Sequence, residues 1–238
     1  MAYVKPDPAA PPAEEPVALA DMKEHLRLTD TSLDATVTLL IQAAREVLEG
    51  WCRRSFVSKG YIQTLDSFPQ YTDTLQSQLA YPPSYYSLPR YSTTLWNYSQ
   101  MIKLYYGPLI SFSSFRYLSS SGSWVTITGT DVSAYDSSTV TDFVFDTVSE
   151  PPRIFPVPGQ YWQPTAYAPN AVEMHYQSGL AASAAALPAN IKLMVRMLAA
   201  HWFENPEATS SKNLAEAPMG VQSMVWSNRV ADEAPTRG

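Results

Sequence analysis

Cysteine and glycine are both scarce in this chain. Cys52 is the only cysteine in 238 residues, so no disulfide can form within the chain and no cysteine-based metal cluster is possible. The nine glycines are scattered, and they form neither a GxxxxGK[ST] nor a GxGxxG phosphate-binding loop. The GxSxG motif of serine hydrolases is missing as well. The sequence therefore gives no sign of a nucleotide loop or a hydrolase triad.

Clustered metal ligands and long apolar runs are also missing. His25, His175 and His201 lie far apart without HxxxH spacing, and we interpret them as ordinary surface or core side chains. The pair Glu14-Glu15 lies in a segment of low order, so we expect no catalytic carboxylate dyad. No apolar run approaches the roughly 18 residues of a membrane span, and the N-terminus lacks the apolar stretch of a signal peptide. We predict a soluble, non-enzymatic protein with no catalytic residue, metal, cofactor or membrane partner.

Basic residues are outnumbered, with 16 Lys and Arg against 22 Asp and Glu, for a net charge of −6. This balance argues against a protein that grips nucleic-acid phosphates. The chain is instead rich in proline (20 residues) and tyrosine (15 residues), which indicates stiff connections that carry aromatic contacts.

Residues 187–205 form the most apolar predicted helix, and we place its bounds at residues 188–204. Pro188 suits a first helical position, and Pro206 ends the helix after Asn205. One apolar stripe recurs at helical spacing: Ile191, Met194, Val195, Leu198 and Trp202. Further apolar residues spread onto a second side, so we expect this helix to contact its own domain and another subunit.

A second amphipathic helix is predicted over residues 33–54, after a short helix over residues 19–27. Its apolar stripe contains Leu33, Val37, Leu40, Ala44, Val47, Leu48 and Trp51, and Cys52 closes it as a small apolar residue. Arg45 with Glu49, and Glu49 with Arg53, are charge pairs at helical spacing that we place on the outer face.

The middle of the chain is predicted to form β-strands. The predicted fold class is α+β, with long N-terminal and C-terminal helices packed together and an antiparallel β region inserted between them. Residues 1–17 are predicted to be a disordered proline-rich arm and residues 18–206 a single domain. That domain contains the β insertion at residues 56–178 and an irregular loop at residues 70–100. Residues 207–238 are predicted to be a docking tail.

Two segments are candidates for binding. The aromatic loop over residues 81–98 includes Tyr85, Tyr86 and Trp96, and it could stack on sugars or bases or pack against a neighbouring subunit. Only Arg90 is basic there, so nucleic acid is disfavoured and we prefer assembly. The tail carries a second apolar cluster of Val221, Met224, Val225 and Trp226, which we predict to contact a partner or another subunit.

Several motifs, in this order, resemble those of phage head–tail connector (adaptor) proteins. Residues 19–56 resemble the start of that family, through a K-x-H-L-R-like run at residues 23–27 and an Ala-Ala-Arg-Glu stretch at residues 43–46. Later matches are Arg153-Ile154, Trp162, residues 170–179, the helix with His201-Trp202 and the P-x-G-V-like stretch at residues 218–221. The loop at residues 70–100 interrupts the resemblance.

The resemblance implies a structural virion protein. It would form a ring, dodecameric in relatives, that docks beneath the portal protein and contacts a neck, stopper or tail completion protein. DNA would pass through its lumen without specific binding, and Val221, Met224, Val225 and Trp226 would contact the portal or a neighbouring subunit. The protein would be located in the host cytoplasm during assembly and then in the virion neck. The alternative is a glycan- or receptor-binding tail module that uses the aromatic loop.

Overall fold

The computed structural model describes residues 2–69, 100–135, 141–157, 160–205 and 218–230. The aromatic loop, with Tyr85, Tyr86 and Trp96, lies outside the described residues.

Four helices and nine strands make up the described part of the chain. The helices are α1 (Leu19–Leu26), α2 (Asp34–Cys52), α3 (Ala189–Glu204) and α4 (Met219–Asn228). The strands are β1 (Ala2–Pro6), β2 (Lys59–Leu65), β3 (Ile102–Lys103), β4 (Leu109–Leu118), β5 (Trp124–Ile127), β6 (Gly129–Asp131), β7 (Phe143–Asp146), β8 (Arg153–Pro156) and β9 (Val172–Ser178).

The strands form two sheets. The first has five strands in the order β1-β2-β9-β4-β5, and the second has four in the order β3-β8-β7-β6. In the first sheet β4 and β5 are antiparallel, with Phe115 opposite Ile127. In the second sheet β7 pairs antiparallel with β8 but parallel with β6, where Gly129 lies opposite Phe143.

The predicted fold class, with long terminal helices around one inserted antiparallel region, is wrong. The helices are short, at 19 residues for α2 and 16 for α3, and neither is terminal, since β1 and α1 precede α2 and α4 follows α3. Strands form two separate sheets, one with a parallel pair. Pairing joins strands distant in sequence, and local hydrophobic periodicity carries no information about such partners.

The ends of α2 and α3 follow from local backbone chemistry. Arg53 ends α2 in the left-handed conformation, at φ 54°, and its backbone N–H donates to the carbonyl of Glu49. Pro188 precedes α3 as its N-cap, and the backbone N–H of Asn205 donates to the His201 carbonyl at the other end. Both helices therefore end close to the residues that the sequence indicates.

The N-terminal segment, predicted to be disordered, is ordered from Ala2. Beyond β1, the backbone N–H of Asp7 donates to the carbonyl of Gly60 (2.9 Å), and the Gly60 N–H donates to the carbonyl of Ala10 (2.8 Å). A Cβ at position 60 would lie 2.6 Å from the Ala10 Cβ, so this close approach requires glycine. Composition alone missed these contacts because they involve the backbone.

Contacts within the chain divide it into two compact units. The helical unit comprises Pro6–Gly60, Tyr105–Ile110 and Gln177–Gly238, and the β unit comprises Met1–Lys5, Tyr61–Leu104 and Ser111–Tyr176. Each unit has its own kind of core.

Aliphatic side chains dominate the core of the helical unit, where α2 packs against α3 and α4 packs against both. The fully buried members on the helices are Met22, Val37, Ile41, Ala44, Leu48, Cys52, Ile191, Met194, Val195, Leu198, Ala199 and Val221. This core holds the four helices in fixed positions around α2.

Aromatic rings dominate the core of the β unit. Phe115 and Phe143 meet edge to face with centroids 4.8 Å apart, and Tyr61 stacks on Tyr176 at 5.9 Å. A Cβ at Gly129 would lie 2.1 Å from the Phe143 ring, so glycine is required beneath that ring.

Trp162 lies at the edge of this aromatic core. Its indole stacks on Phe68 with centroids 4.7 Å apart and planes 6° apart. Its Nε1–H donates to the carbonyl of Gln100 at 2.7 Å. Phe68 and Gln100 flank the stretch 70–99 in the sequence.

Candidate functional site

The described residues show no arrangement suited to metal binding or to spanning a membrane. Within them, no group of three or more His, Cys, Asp and Glu side chains could hold a metal ion. Nor is any helix in these ranges long and apolar enough to cross a bilayer.

The three histidines lie apart. His25 is exposed on α1, and His201 lies on α3. His175, on β9, pairs through Nε2 with Glu173 at 2.5 Å, and Arg116 of β4 donates to the same carboxylate at 2.9 Å. The Arg116 guanidinium also lies 4.8 Å from the Trp124 ring centroid. Arg116 and Glu173 form a cross-strand pair between β4 and β9, and His175 adds a contact along β9. Such polar contacts stabilise a sheet.

Partial burial raises the pKa of Glu173, but hydrogen bonds from His175 and Arg116 outweigh it, so the net shift of this pKa is downward. The carboxylate is therefore held in its charged form by two neighbours on the sheet, as expected for an ion pair and not for a general acid.

Cys52 is buried, and burial raises the pKa of its thiol to about 11. The thiol is therefore protonated at neutral pH and is not a nucleophile. Its role is that of a small apolar residue at the end of α2, as the sequence indicates.

A buried ionic network lies beside α2. Glu49 accepts from the backbone N–H of Phe56 at 2.8 Å, from Lys59 Nζ at 2.5 Å and from Arg45 Nη1 at 3.2 Å. Arg45 Nε also donates to Glu15 at 2.8 Å. The prediction that Arg45 and Glu49 lie on the outer face is wrong, because both are buried and satisfied by partners distant in sequence. The network fixes the segment around Glu15 against α2.

The predicted tail cluster separates into a buried and an exposed part. Val221 has no exposed surface and belongs to the helical core, while Met224 and Val225 are half-buried against it. Trp226 is 73% exposed. Of the four predicted contact residues, Trp226 presents the largest free surface to a partner.

An open groove of about 420 Å³ lies between the end of α2 and α4. Its lining residues are Gly50, Trp51, Arg53, Gln222, Val225, Trp226 and Arg229. Trp51, which the sequence places on the buried stripe of α2, is 38% exposed here. The Arg229 guanidinium lies 5.7 Å from the Trp226 ring centroid. We call this surface the tryptophan groove.

The two tryptophans make the groove apolar, and the two arginines add positive charge to it. Within the described part of the chain, none of the residues that line it is acidic. Exposed tryptophan and arginine are the side chains most enriched in the energetic centres of protein interfaces. The arrangement is suited to binding a protein surface.

Comparisons with known proteins give a family match over part of the chain. The sequence model of a family described as Phage gp6-like head-tail connector protein matches residues 16–81. That match covers α1, α2 and β2, including Trp51 and Arg53 of the tryptophan groove. No curated protein matches the chain.

Solved structures match almost the whole chain. A chain from the virion of a native gene transfer agent particle has a TM-score of 0.67 at 18% identity, covering 99% of each chain. A chain from the neck of an empty gene transfer agent particle, computed with C6 symmetry, has a TM-score of 0.66 at 18% identity and covers 99% of this chain and 100% of that one. A third, from the neck of the native particle computed with C12 symmetry, has a TM-score of 0.61 with the same identity and coverage.

The family match and the shared fold together confirm the resemblance to phage head–tail connector proteins that the sequence predicts.

Proposed function

We propose that this protein is a structural head–tail connector, located in the neck of a virus-like particle, where copies of the chain form a ring. The proposal rests on two independent similarities that agree with each other. The N-terminal 16–81 segment matches the connector family, and the whole fold matches chains from the necks of particles. A role in architecture also agrees with the site, which is suited to protein contacts.

A ring is supported by the C6 and C12 symmetry used for the two matching necks. Closed rings need two different contact surfaces on each subunit, and the tryptophan groove supplies one. In this proposal the ring has twelve subunits and binds the portal protein on one side and a neck, stopper or tail completion protein on the other.

DNA would pass through the lumen of this ring without being held. The net charge of −6 supports free passage, since tight phosphate binding requires clustered cations that release counterions. An acidic subunit would repel the duplex at short range and let it slide.

The direct test is to mix the full-length protein with purified portal rings from the same particle and image the product by negative-stain electron microscopy. We expect added density of connector subunits on one face of the portal. A portal that stays bare at micromolar connector concentrations would contradict the proposal.

The exposed part of the tail, Trp226 above all, is proposed to be an assembly contact. Deleting residues 217–238 would also remove the buried Val221, so a point substitution is the cleaner probe. Trp226→Ser should leave the melting temperature nearly unchanged while weakening ring or portal assembly. The exposed Tyr167, which lies in the β unit, gives a matched control as Tyr167→Ser.

For the aromatic loop the proposal rests on sequence alone. Replacing Tyr85, Tyr86 and Trp96 together by serine should weaken ring or neck assembly with the fold intact, because tyrosine-rich segments suit interfaces. If the triple variant assembles normally but loses binding in a glycan-array screen, the loop is a recognition module instead.

A further inference from the structure

The tryptophan groove has a defined chemical preference. Trp51 and Trp226 offer flat apolar surfaces, and Arg53 and Arg229 place positive charge at its edge. An occupant must therefore present an apolar side chain together with a carboxylate. A net charge of −6 makes a second copy of this chain a source of such a surface.

One face of α2 carries this combination. Leu39, Ala43 and Glu46 follow one another at four- and three-residue spacing, so they share a stripe along the helix. Leu39 is 64% exposed, which is unusual for a leucine on a helix that packs in a core. The Glu46 side chain is 67% exposed, and its carboxylate lies 3.3 Å from Arg45 Nη2. We call these three residues the leucine stripe.

The leucine stripe is separate from the core-facing side of α2. The core side consists of Val37, Ile41, Ala44 and Leu48, all buried. A rotation of 100° per residue places Leu39 and Glu46 on the opposite side of the helix from Ile41 and Leu48. The exposure of Leu39 is therefore not explained by packing within the helical unit.

We infer that the tryptophan groove of one copy accepts the leucine stripe of a second copy, with Leu39 against the tryptophans and Glu46 beside Arg229. The inference rests on the proposed ring function and names the contact that would build the ring. It also accounts for the exposure of Leu39 and pairs an apolar groove bordered by arginine with an apolar stripe that ends in a carboxylate.

The groove and the stripe are two different surfaces, so they can join copies head to tail. Leu39 and Trp51 are twelve residues apart on one helix, which places them about 18 Å apart along its axis. A copy whose stripe is bound by one neighbour can therefore accept the stripe of another copy in its own groove, and a reciprocal pair is the alternative that the crosslinking below separates. Such a heterologous contact continues from subunit to subunit until it closes. The matching necks were computed with cyclic symmetry of this kind.

Disulfide trapping tests the contact directly. Leu39→Cys and Gln222→Cys are made as separate full-length proteins, mixed, and oxidised mildly. Cys52 does not interfere, because it is buried with a raised thiol pKa. Residue 222 lines the groove with Trp51, and Trp51 lies about 18 Å from Leu39 along the α2 axis, whereas a disulfide needs Cα atoms within about 7 Å. A bridge between these positions must therefore join two copies.

We expect a covalent dimer containing one copy of each variant, formed at least about tenfold faster than with the control. The control is Leu33→Cys mixed with Gln222→Cys, since Leu33 is also exposed but lies outside the stripe. The double variant carrying Leu39→Cys and Gln222→Cys should give a ladder of bands, and its last band reports the number of subunits. A ladder that stops at two would mean a closed pair and would overturn the ring arrangement.

A charge variant adds a second measurement. Arg229→Glu should lower the yield of the mixed dimer roughly tenfold, because it places a carboxylate against Glu46. Arg27→Glu makes the same change at an exposed arginine of the α1 C-cap and should leave the yield within about twofold.

The outcomes separate this inference from the proposed function. If the wild-type protein forms rings on the portal but the Leu39 and Gln222 pair does not crosslink there faster than the control, the inference is wrong and the connector function stands. If the wild-type protein forms no ring with or without portal, and no crosslink appears, both are overturned. Unchanged crosslinking in Arg229→Glu would overturn the assignment of Glu46 to Arg229.

Discussion

The helical unit and the β unit reach a buried core by different chemistry. The helical unit packs aliphatic side chains from four helices and encloses a buried network in which Glu49 accepts three hydrogen bonds. The β unit packs rings edge to face and stacked, and its buried polar side chains, such as Gln63, are uncharged, whereas Arg116 and Glu173 pair at its partly exposed surface. Residues of the helical unit carry the exposed groove and stripe, so the unit with charges inside also provides the proposed assembly surfaces.

The difference shows where each unit is sensitive to substitution. An aliphatic core loses transfer free energy and gains a cavity when a side chain is shortened, and an aromatic core loses large contact areas one ring at a time. A buried ionic network is sensitive in another way, because removing one partner leaves the others desolvated and unpaired. Substitutions can separate these three cases.

The largest effect is expected for Glu49→Ala in the helical unit. It would leave Lys59, Arg45 and the backbone N–H of Phe56 without their shared acceptor. We expect this loss to lower the free energy of unfolding by about 3–5 kcal/mol. Chemical denaturation followed by circular dichroism measures the loss. Glu46→Ala, on the exposed side of the same helix, should change stability by less than about 0.5 kcal/mol. Equal effects from both variants would contradict the buried network.

The next largest effects are expected for two core substitutions. Phe115→Ala in the β unit should lower the free energy of unfolding by about 3–5 kcal/mol, and Leu198→Ala in the helical unit should lower it by about 2–5 kcal/mol. Both side chains are buried. Amide hydrogen exchange resolved by peptide should show increased exchange in the β unit for the first and in the helical unit for the second. If either substitution loosens the two units equally, the division into separate cores is wrong.

A pair of glycines should respond in opposite directions. Gly129→Ala would place a methyl group 2.1 Å from the Phe143 ring and should destabilise the protein by about 1–3 kcal/mol. A Cβ at Gly50 meets nothing within 4 Å, so Gly50→Ala in α2 should stabilise by about 0.5–1 kcal/mol through helix propensity. Melting temperatures of the two variants, measured beside the wild type, test these opposite changes in stability. Shifts of the same sign would contradict one of the two packing descriptions.

The smallest effect concerns pH and the β unit. The pKa of Glu173 is lowered in the folded state, so its stabilising contribution is present above the pKa of the unfolded chain. That contribution is lost as the pH falls through the lower folded-state pKa. Glu173→Gln should flatten the acid side of the stability profile and leave its slope above neutral pH unchanged. The Arg116 pair is partly exposed, so we expect a change below about 1 kcal/mol.

Sequence periodicity located several helices and strands closely. The helix predicted at residues 33–54 is α2 (Asp34–Cys52), and the one predicted at 188–204 is α3 (Ala189–Glu204). Apolar side chains at helical spacing indicate an amphipathic helix wherever it packs, so local pattern suffices. The sheet order and the strand β1 could not be found in this way, because they depend on pairing between distant segments.

The candidate site was only partly accessible for the same reason. Trp226 could be selected as an exposed apolar tail residue, but Val221 in the same cluster is buried by α2 and α3, which lie far away in sequence. Trp51 falls on the apolar stripe by spacing, yet the end of α2 leaves it at the surface. Arg45 and Glu49 have the sequence spacing of a solvent-exposed pair. Only the fold shows that Lys59 and Glu15 lie beside them and that the pair is buried.

Trp162 has a consequence for how this protein can be altered. Phe68 stacks on its ring and the carbonyl of Gln100 accepts from its indole N–H, so one side chain joins two points of the β unit that are 32 residues apart in the sequence. Loss of this ring, as in Trp162→Ala, would therefore release both points of the chain at once.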